Sequence, residues 1–301
     1  MKTRRVVVAT RKSELALAQC RQFLSALCER HHHLIIEELH VVTTGDKIVD
    51  RPLAEVGGKG LFLKEIEEKL LDGSADIAVH SMKDVPPDIH PDLMIGCIPL
   101  REDPRDAVIT TDGRPFLELA HGAKLGTSSL RRGVQLKLLR PDLVIVPIRG
   151  NVGTRIRKCR DGEVDATVLA QAGLNRLGIG HEITETLSIE QCLPAVGQGT
   201  LAIQLRRGDH ELLSILQTMQ DTETALITDA ERGVMTAVEG DCKTPVAAYA
   251  RRDGSDMILS ALLANPDGSQ LRQKTVRVAF PESRQEAERL GLQLGHELRV
   301  G

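Results

Sequence analysis

The chain is almost without aromatic residues: four Phe, one Tyr and no Trp in 301 positions. Recognition of unpaired bases depends on stacking against such rings, so a single-strand nucleic-acid platform is disfavoured. Long apolar runs are also missing, and the opening "MKTRRVVVATRK" returns to charge too soon for a secretory leader. The expectation is a cytoplasmic protein with no membrane contact. Six cysteines form no CxxC pair and no zinc-like cluster, which predicts free thiols and no metal. Three consecutive histidines, His31 to His33, cannot all face one ion and read as a solvated helix end.

What is present is an uneven charge. The net formal charge is −3, yet Lys124 to Arg160 holds ten Lys/Arg against Asp142 alone. That stretch is therefore +9 and the remainder −12, a field suited to an anionic ligand or a phosphate backbone.

Apolar strands alternate with amphipathic helices. "RVVVAT" precedes a helix that Ser13 caps, "LIIEELHVV" is a second strand, and "ADIAVHS" follows a helix closed by Gly73. The grammar repeats from residue 123, and "LDGSADIAV" matches "RDGEVDATV" at Asp-Gly-x-x-Asp-x-x-Val. Two related α/β units with parallel sheets are expected. The first spans residues 1–99 and 197–218, with "GQGTLAIQLRRG" as the return crossing, and the second spans 100–196. A small α+β unit fills 219–301, with a hairpin at Asn265 to Gly268.

In open α/β sheets ligands bind beyond the carboxyl ends of strands. Those positions carry Arg11 and Ser13, then Ser81, Lys83 and Asp84, then Thr127, Ser129, Arg131 and Arg132, then Arg149, Arg155 and Arg176. One arginine at a helix start is ordinarily a solvated surface residue. Six at the strand ends of two facing units point to a cleft for a small molecule bearing several carboxylates or phosphates. Asp84 is the exception among these cations. It either pairs with Lys83 or an arginine, or moves protons and stabilises a cation forming on the substrate. "EVGGKGLF" lacks the ending of a phosphate loop and reads as a lid, with Gly57, Gly58 and Gly60 bringing Lys59 and Phe62 over the cleft. In "EGDCKTP" no apolar periodicity explains Cys242, and Lys243 with the basic stretch would favour its thiolate.

"HSMKDVP", "GTSSLRR", "IRGNV", "AVGQG" and "GDCKTP", in this order over about residues 4–250, resemble the porphobilinogen deaminase family. The resemblance implies three domains, the first two like type II periplasmic binding proteins. It implies a transferase of haem biosynthesis that joins four porphobilinogen units head to tail, with loss of ammonia, into hydroxymethylbilane. It also implies a dipyrromethane cofactor held through a thioether at Cys242, with Asp84 catalytic beside an electron-poor azafulvene. Lys83, Asp84, Thr127, Ser128, Ser129, Arg131, Arg132 and Arg155 match the family's cofactor contacts. Arg11, Ser13, Gln19, Arg149, Asn151, Arg155, Arg176 and Gln198 match positions that line the substrate and the growing oligopyrrole chain. Asp241 and Ala247 stand where many members carry glycine. A monomer without nucleic acid is expected. The alternative is a non-catalytic two-domain anion-binding module, which accounts for the arginines but not for Asp84 or Cys242.

Overall fold

A computed structural model of the chain describes residues 3–47, 62–240 and 244–300. Strand β1 (Arg4–Arg11) leads into helix α1 (Glu14–Arg30), and Ser13 caps that helix by accepting a hydrogen bond from the Ala16 amide. Then come β2 (Leu34–Val41), the single turn α2 (Thr44–Lys47), α3 (Lys64–Leu71), β3 (Ile77–Ser81), a 3-10 turn at Met82–Asp84, and β4 (Leu93–Cys97). The chain crosses to β5 (Asp106–Thr110), β6 (Lys124–Gly126), α4 (Leu130–Leu139), β7 (Val144–Val146), α5 (Val152–Arg160), β8 (Ala166–Ala170), α6 (Gln171–Arg176) and β9 (Glu185–Thr186). It crosses back to β10 (Leu201–Arg206) and α7 (His210–Gln217). Helix α8 (Thr222–Ala237), the meander β11 (Val246–Asp253), β12 (Asp256–Leu263) and β13 (Arg272–Ala279), and α9 (Arg284–Val300) complete it.

The first sheet runs β2-β1-β3-β10-β4 and the second β7-β6-β8-β5-β9. These are one topology, with β1 equivalent to β6 and β3 to β8. In each sheet a single strand is antiparallel to both of its neighbours, and that strand arrives from the other unit: β10 in the first, β5 in the second. The sheets are therefore mixed, where alternation of strand and helix alone predicts parallel ones. The fold class is α/β, with two five-stranded mixed-sheet units of one topology and a small three-stranded α+β unit.

The Asp-Gly-x-x-Asp repeat has a physical cause. Gly73 and Gly162 end α3 and α5 at φ +78 and +77, a backbone region that disfavours side chains. Four residues after the first aspartate, Asp76 accepts the Val7 amide at 2.8 Å and Asp165 accepts the Lys124 amide at 2.7 Å. Each carboxylate thus satisfies an edge amide of the neighbouring strand and sets the register of the next one.

Both sheets are covered on both faces. In the first, α1 and α7 bury Phe23, Leu24, Leu27, Leu212 and Leu216 against Val6, Val8, Ile77 and Ile203, while α3 covers the opposite face with Ile66 and Leu70. The third unit packs α8 and α9 on its meander. A Cβ on Gly291 would lie 1.9 Å from the Ala230 carbonyl oxygen, so these helices touch backbone to backbone. A buried ion pair joins this unit to both crossings. Arg101 Nη1 lies 2.6 Å from Glu231 Oε1, and Arg101 Nε donates to the Gln198 carbonyl. Glu231 also accepts the amides of Gly197 and Ala250 at 2.7 and 2.8 Å.

Candidate functional site

The carboxyl ends of β1, β3, β6, β7 and β8 carry the polar residues singled out in the sequence. Asp84 ends the 3-10 turn after β3 and is exposed, as is Lys83. Among the described residues, the Asp84 carboxylate forms no hydrogen bond or ion pair at bonding distance, and its charge acts on the neighbouring Lys83 ammonium. Lys83 is open to water yet walled by protein. Loss of solvent is the largest influence on its ammonium, and Arg132 and Arg131 add to it against the opposing Asp84 and Asp106, bringing the pKa down to about 8.

The second unit supplies the cation cluster. Ser129 caps α4, and its hydroxyl accepts the Arg132 amide. Thr127 Oγ1 accepts the Ser129 amide at 3.1 Å, while the exposed Ser128 donates to the Ile148 carbonyl at 2.8 Å. Asn151 caps α5 through the Thr154 amide. Arg155 is half-buried, with Nε donating to the Gly150 carbonyl at 2.9 Å. Burial first, then the charges of Arg132 and Arg149, lower its guanidinium pKa to about 10. Three guanidiniums thus crowd one region at the strand ends, and a half-buried cation depressed by desolvation and by its neighbours' charge is stabilised by an incoming anion. That donor set fits a ligand carrying several carboxylates, as dipyrromethane does.

Arg131 and Arg132 are tied down from behind by a residue that sequence reasoning missed. Asp106, at the start of β5, has 0% exposure and meets both guanidiniums, Arg131 at 2.8 Å and Arg132 at 2.7 Å. Arg132 adds Nε to Asp106 at 3.0 Å and Nη1 to the Val168 carbonyl at 3.0 Å. Arg131 donates to the Leu193 carbonyl at 2.6 Å. Gln198 is 1% exposed rather than open to the cleft, and its amide nitrogen donates to Asp106 at 2.9 Å and to the Pro104 carbonyl at 2.7 Å. The paired arginines hold the Asp106 carboxyl far below its usual range although burial opposes this.

On the first unit, Arg11 forks onto Asp46 and stacks over the Phe62 ring, 3.9 Å from its centroid. Asp46 is a second missed residue, and it also accepts the Thr43 hydroxyl at 2.8 Å. Gln19 is 6% exposed and exchanges hydrogen bonds with Ser81 at 2.9 and 3.2 Å. Arg176 donates to the Gly199 carbonyl at 2.7 Å and sits half-buried at the end of α6. The basic run does not act as one body. Arg140 is committed to Asp142 and to the carbonyls of Leu117 and Leu119, and Arg160 to Glu182.

Gly57, Gly58, Lys59 and Gly60 of the expected lid lie outside the described residues, as do Asp241, Cys242 and Lys243. Ala247 is fully buried against Leu193 and Leu262. Among the described residues no group of three or more His, Cys, Asp or Glu could hold a metal. No described helix is long and apolar enough to cross a membrane.

Two family models match the chain. One, described as porphobilinogen deaminase, dipyromethane cofactor binding domain, covers residues 6–214, and the other, porphobilinogen deaminase, C-terminal domain, covers residues 225–300. A porphobilinogen deaminase of Sorangium cellulosum is 56% identical over 296 residues, 98% of this chain and 99% of the relative. One of Syntrophotalea carbinolica is 46% identical over 291 residues, 97% and 91% of the two chains. Among solved structures, the second substrate binding domain of a putative amino acid ABC transporter from Streptococcus pneumoniae has a TM-score of 0.44 at 12% identity, covering 71% of this chain and 91% of that one.

Proposed function

The chain belongs to the porphobilinogen deaminase family, and from that premise we propose that it joins four porphobilinogen molecules head to tail into hydroxymethylbilane, releasing ammonia at each addition. It is a transferase of tetrapyrrole biosynthesis that uses a dipyrromethane cofactor. The observation that carries the reading is the exposed Asp84 carboxylate, without an ion-pair partner among the described residues, next to a Lys83 ammonium that feels the charges of Arg131 and Arg132.

We assign the cofactor's acetate and propionate groups to Lys83, Thr127, Ser128, Ser129, Arg131, Arg132 and Arg155, with Cys242 as the point of attachment. When bound, the cofactor supplies the free pyrrole position from which the chain grows. Arg11, Ser13, Arg149, Asn151 and Arg176 take the carboxylates of porphobilinogen and of the growing oligopyrrole, while Gln19 and Gln198 act from behind through Ser81 and Asp106. Lys59 and its flanking glycines, with Phe62, are assigned to covering the cleft.

As the aminomethyl C–N bond of the substrate breaks, its electron pair leaves with ammonia and positive charge falls on the pyrrole nitrogen. A fixed carboxylate beside that nitrogen lowers the barrier, because it is oriented before the charge forms. Asp84 has the freedom for this, since no described group already occupies it. It can also accept the ring proton released when the new C–C bond forms. Five described cysteines are free thiols, which suits the cytoplasm. We take the working unit to be a monomer, divided at residues 1–99 with 197–218, 100–196 and 219–301. A non-catalytic anion-binding module leaves Asp84 without a purpose among the cations.

The test is an intact mass of the protein as isolated, followed by incubation with porphobilinogen. Two pyrrole units on the protein and stoichiometric ammonia are expected. Unmodified protein that leaves porphobilinogen unchanged would overturn the reading.

A further inference from the structure

Arg232 stands on α8, next to Glu231, and none of the cleft residues above contacts it. Its side chain leaves the third unit and ends on the segment that follows Asp84. Nη1 donates to the Val85 carbonyl at 2.9 Å, and Nη2 to the carbonyls of Pro86 at 2.9 Å and Pro87 at 3.4 Å. The Met82 sulfur, at the start of the same turn, lies 3.6 Å from Nη1. One guanidinium therefore spans the carbonyls of three consecutive residues. No carboxylate among the described residues lies within ion-pair distance of it, so its donors are committed to that backbone.

The segment needs such a support. Pro86 and Pro87 have no N–H and cannot be fixed by a strand ladder. The 3-10 turn is held by the Val85 amide on the Met82 carbonyl at 3.0 Å and by the Met82 amide on the Thr200 carbonyl at 2.9 Å. Below it, Met82 and Val85 are 1% and 4% exposed and pack in one cluster with Ala225 of α8. Apolar contact sets the height of the turn, but it is non-directional. The fork of Arg232 supplies direction, because a planar guanidinium donates to carbonyls only near its own plane.

We propose that Arg232 is a positioning residue for Asp84, through which the third unit fixes the orientation of the carboxylate in the cleft. The proposal rests on the role given to Asp84 above. It makes the third unit the rear support of the reacting carboxylate.

The experiment uses full-length protein isolated with its cofactor, as wild type, Arg232→Met and Arg232→Lys. Cofactor content is read by intact mass, folding by thermal melting, and kcat and KM for porphobilinogen per cofactor-loaded molecule. A misplaced carboxylate lowers kcat on the order of 10- to 100-fold while KM and cofactor content stay near wild type. Lysine reaches part of the same carbonyl set and recovers part of the loss. Methionine at wild-type kcat overturns the proposal, as does a folded variant whose loss of activity is wholly explained by unloaded protein. Should the methionine variant fail to fold, the lysine variant decides alone: reduced kcat at unchanged KM supports the proposal and wild-type kcat overturns it. A wild type that does not turn over porphobilinogen overturns the function itself and this proposal with it.

Discussion

Arg132 and Asp106 meet through two hydrogen bonds, Nε at 3.0 Å and Nη2 at 2.7 Å, on a carboxylate with no solvent exposure. The same carboxylate holds Arg131 and Gln198. It fixes the direction of both arginines and neutralises one of their two charges, leaving the other for a ligand. Replacing Asp106 by Asn keeps the shape, removes the charge and turns an amide N–H toward a guanidinium. Breaking a buried pair from one side costs about 3–5 kcal/mol. Asp106→Asn is expected to melt well below wild type and to be isolated largely without cofactor, as read by calorimetry and intact mass.

The same residue gives an acid dependence. Its folded pKa lies far below the ordinary carboxyl value near ~3.9, so in acid the unfolded chain binds a proton that the native protein does not. The stabilisation is complete above the unfolded pKa and is lost as pH falls toward the folded one. Unfolding free energy measured by denaturant between about pH 5 and 3 should fall with acidification by up to ~1.4 kcal/mol per unit from this group alone. In Asp106→Asn that slope should be shallower by one proton. An unchanged slope would remove Asp106 from the linkage.

Lys83 predicts a dependence at the other end of the scale. With its pKa brought down to about 8, mainly by loss of solvent, the ammonium of the cofactor-free protein loses its charge as pH rises through that value. Cofactor assembly from porphobilinogen, followed by mass, should slow above about pH 8. Arg at this position stays charged throughout. Lys83→Arg should therefore lack that limb, whatever its absolute rate.

Much of this site is legible in the sequence because it follows strand ends. Apolar runs locate β1, β3, β6 and β8, and the polar residues singled out follow their carboxyl ends. Asp106 and Asp46 are not legible. Each sits in a polar stretch, "EDPRDA" and "TTGDK", that reads as solvated loop, and burial arises from arginines distant in sequence. Of the two antiparallel strands, β10 is legible as the return crossing, whereas β5 escapes for a related reason. β5 is only five residues long after a run of charges, and its place between β8 and β9 depends on the chain entering from the other unit. Gln198 and Arg131 read as ligand contacts from their motifs, yet much of their hydrogen bonding is internal.

The arginines divide by what stands behind them. Arg11 leans on Asp46, whose side chain is 24% exposed, so Arg11→Leu strands a carboxylate that water can still reach. Exposed pairs contribute ~0.2–1 kcal/mol, and this half-buried one stands between them and a fully buried pair. That variant, and Arg149→Leu, should keep fold and cofactor and accumulate intermediates between one and four added units. Arg131→Leu and Arg132→Leu strand the buried Asp106, and they should lose both melting temperature and cofactor. Four variants with the same cofactor content and the same intermediates would contradict this division.

Asp84→Asn separates charge from shape at the reacting position. The turn, its Val85–Met82 hydrogen bond and the Arg232 contacts do not involve the carboxylate, so stability and cofactor content should be unchanged. Loss of a positioned charge or proton acceptor typically costs ~10²- to 10⁴-fold in rate. Steady-state ammonia release should drop by that order. Turnover near wild type would show that the carboxylate serves only to balance its cationic surroundings.

Cys242 is reached from the other five thiols. Cys20, Cys97 and Cys192 are buried, and burial is the largest influence raising each thiol pKa to about 12; Cys159, also buried, is raised to about 11. Cys28 is half-buried and raised by the same cause. Only a thiolate is a competent nucleophile toward an electron-poor carbon, and none of these five offers one at neutral pH. Cys192 is the informative case, because it lies in the arginine cluster itself, 3.5 Å from Arg131. Yet its thiol donates to Asp106 at 3.3 Å and is 1% exposed. Its burial and its hydrogen bonds make it part of the buried network. Digestion and mass spectrometry should therefore place both pyrrole units on the peptide that contains Cys242. Cys192→Ser should remain loaded and active, whereas Cys242→Ser should carry no stable adduct and be inactive. An adduct on the Cys192 peptide, or a fully active Cys242→Ser protein, would reverse the assignment.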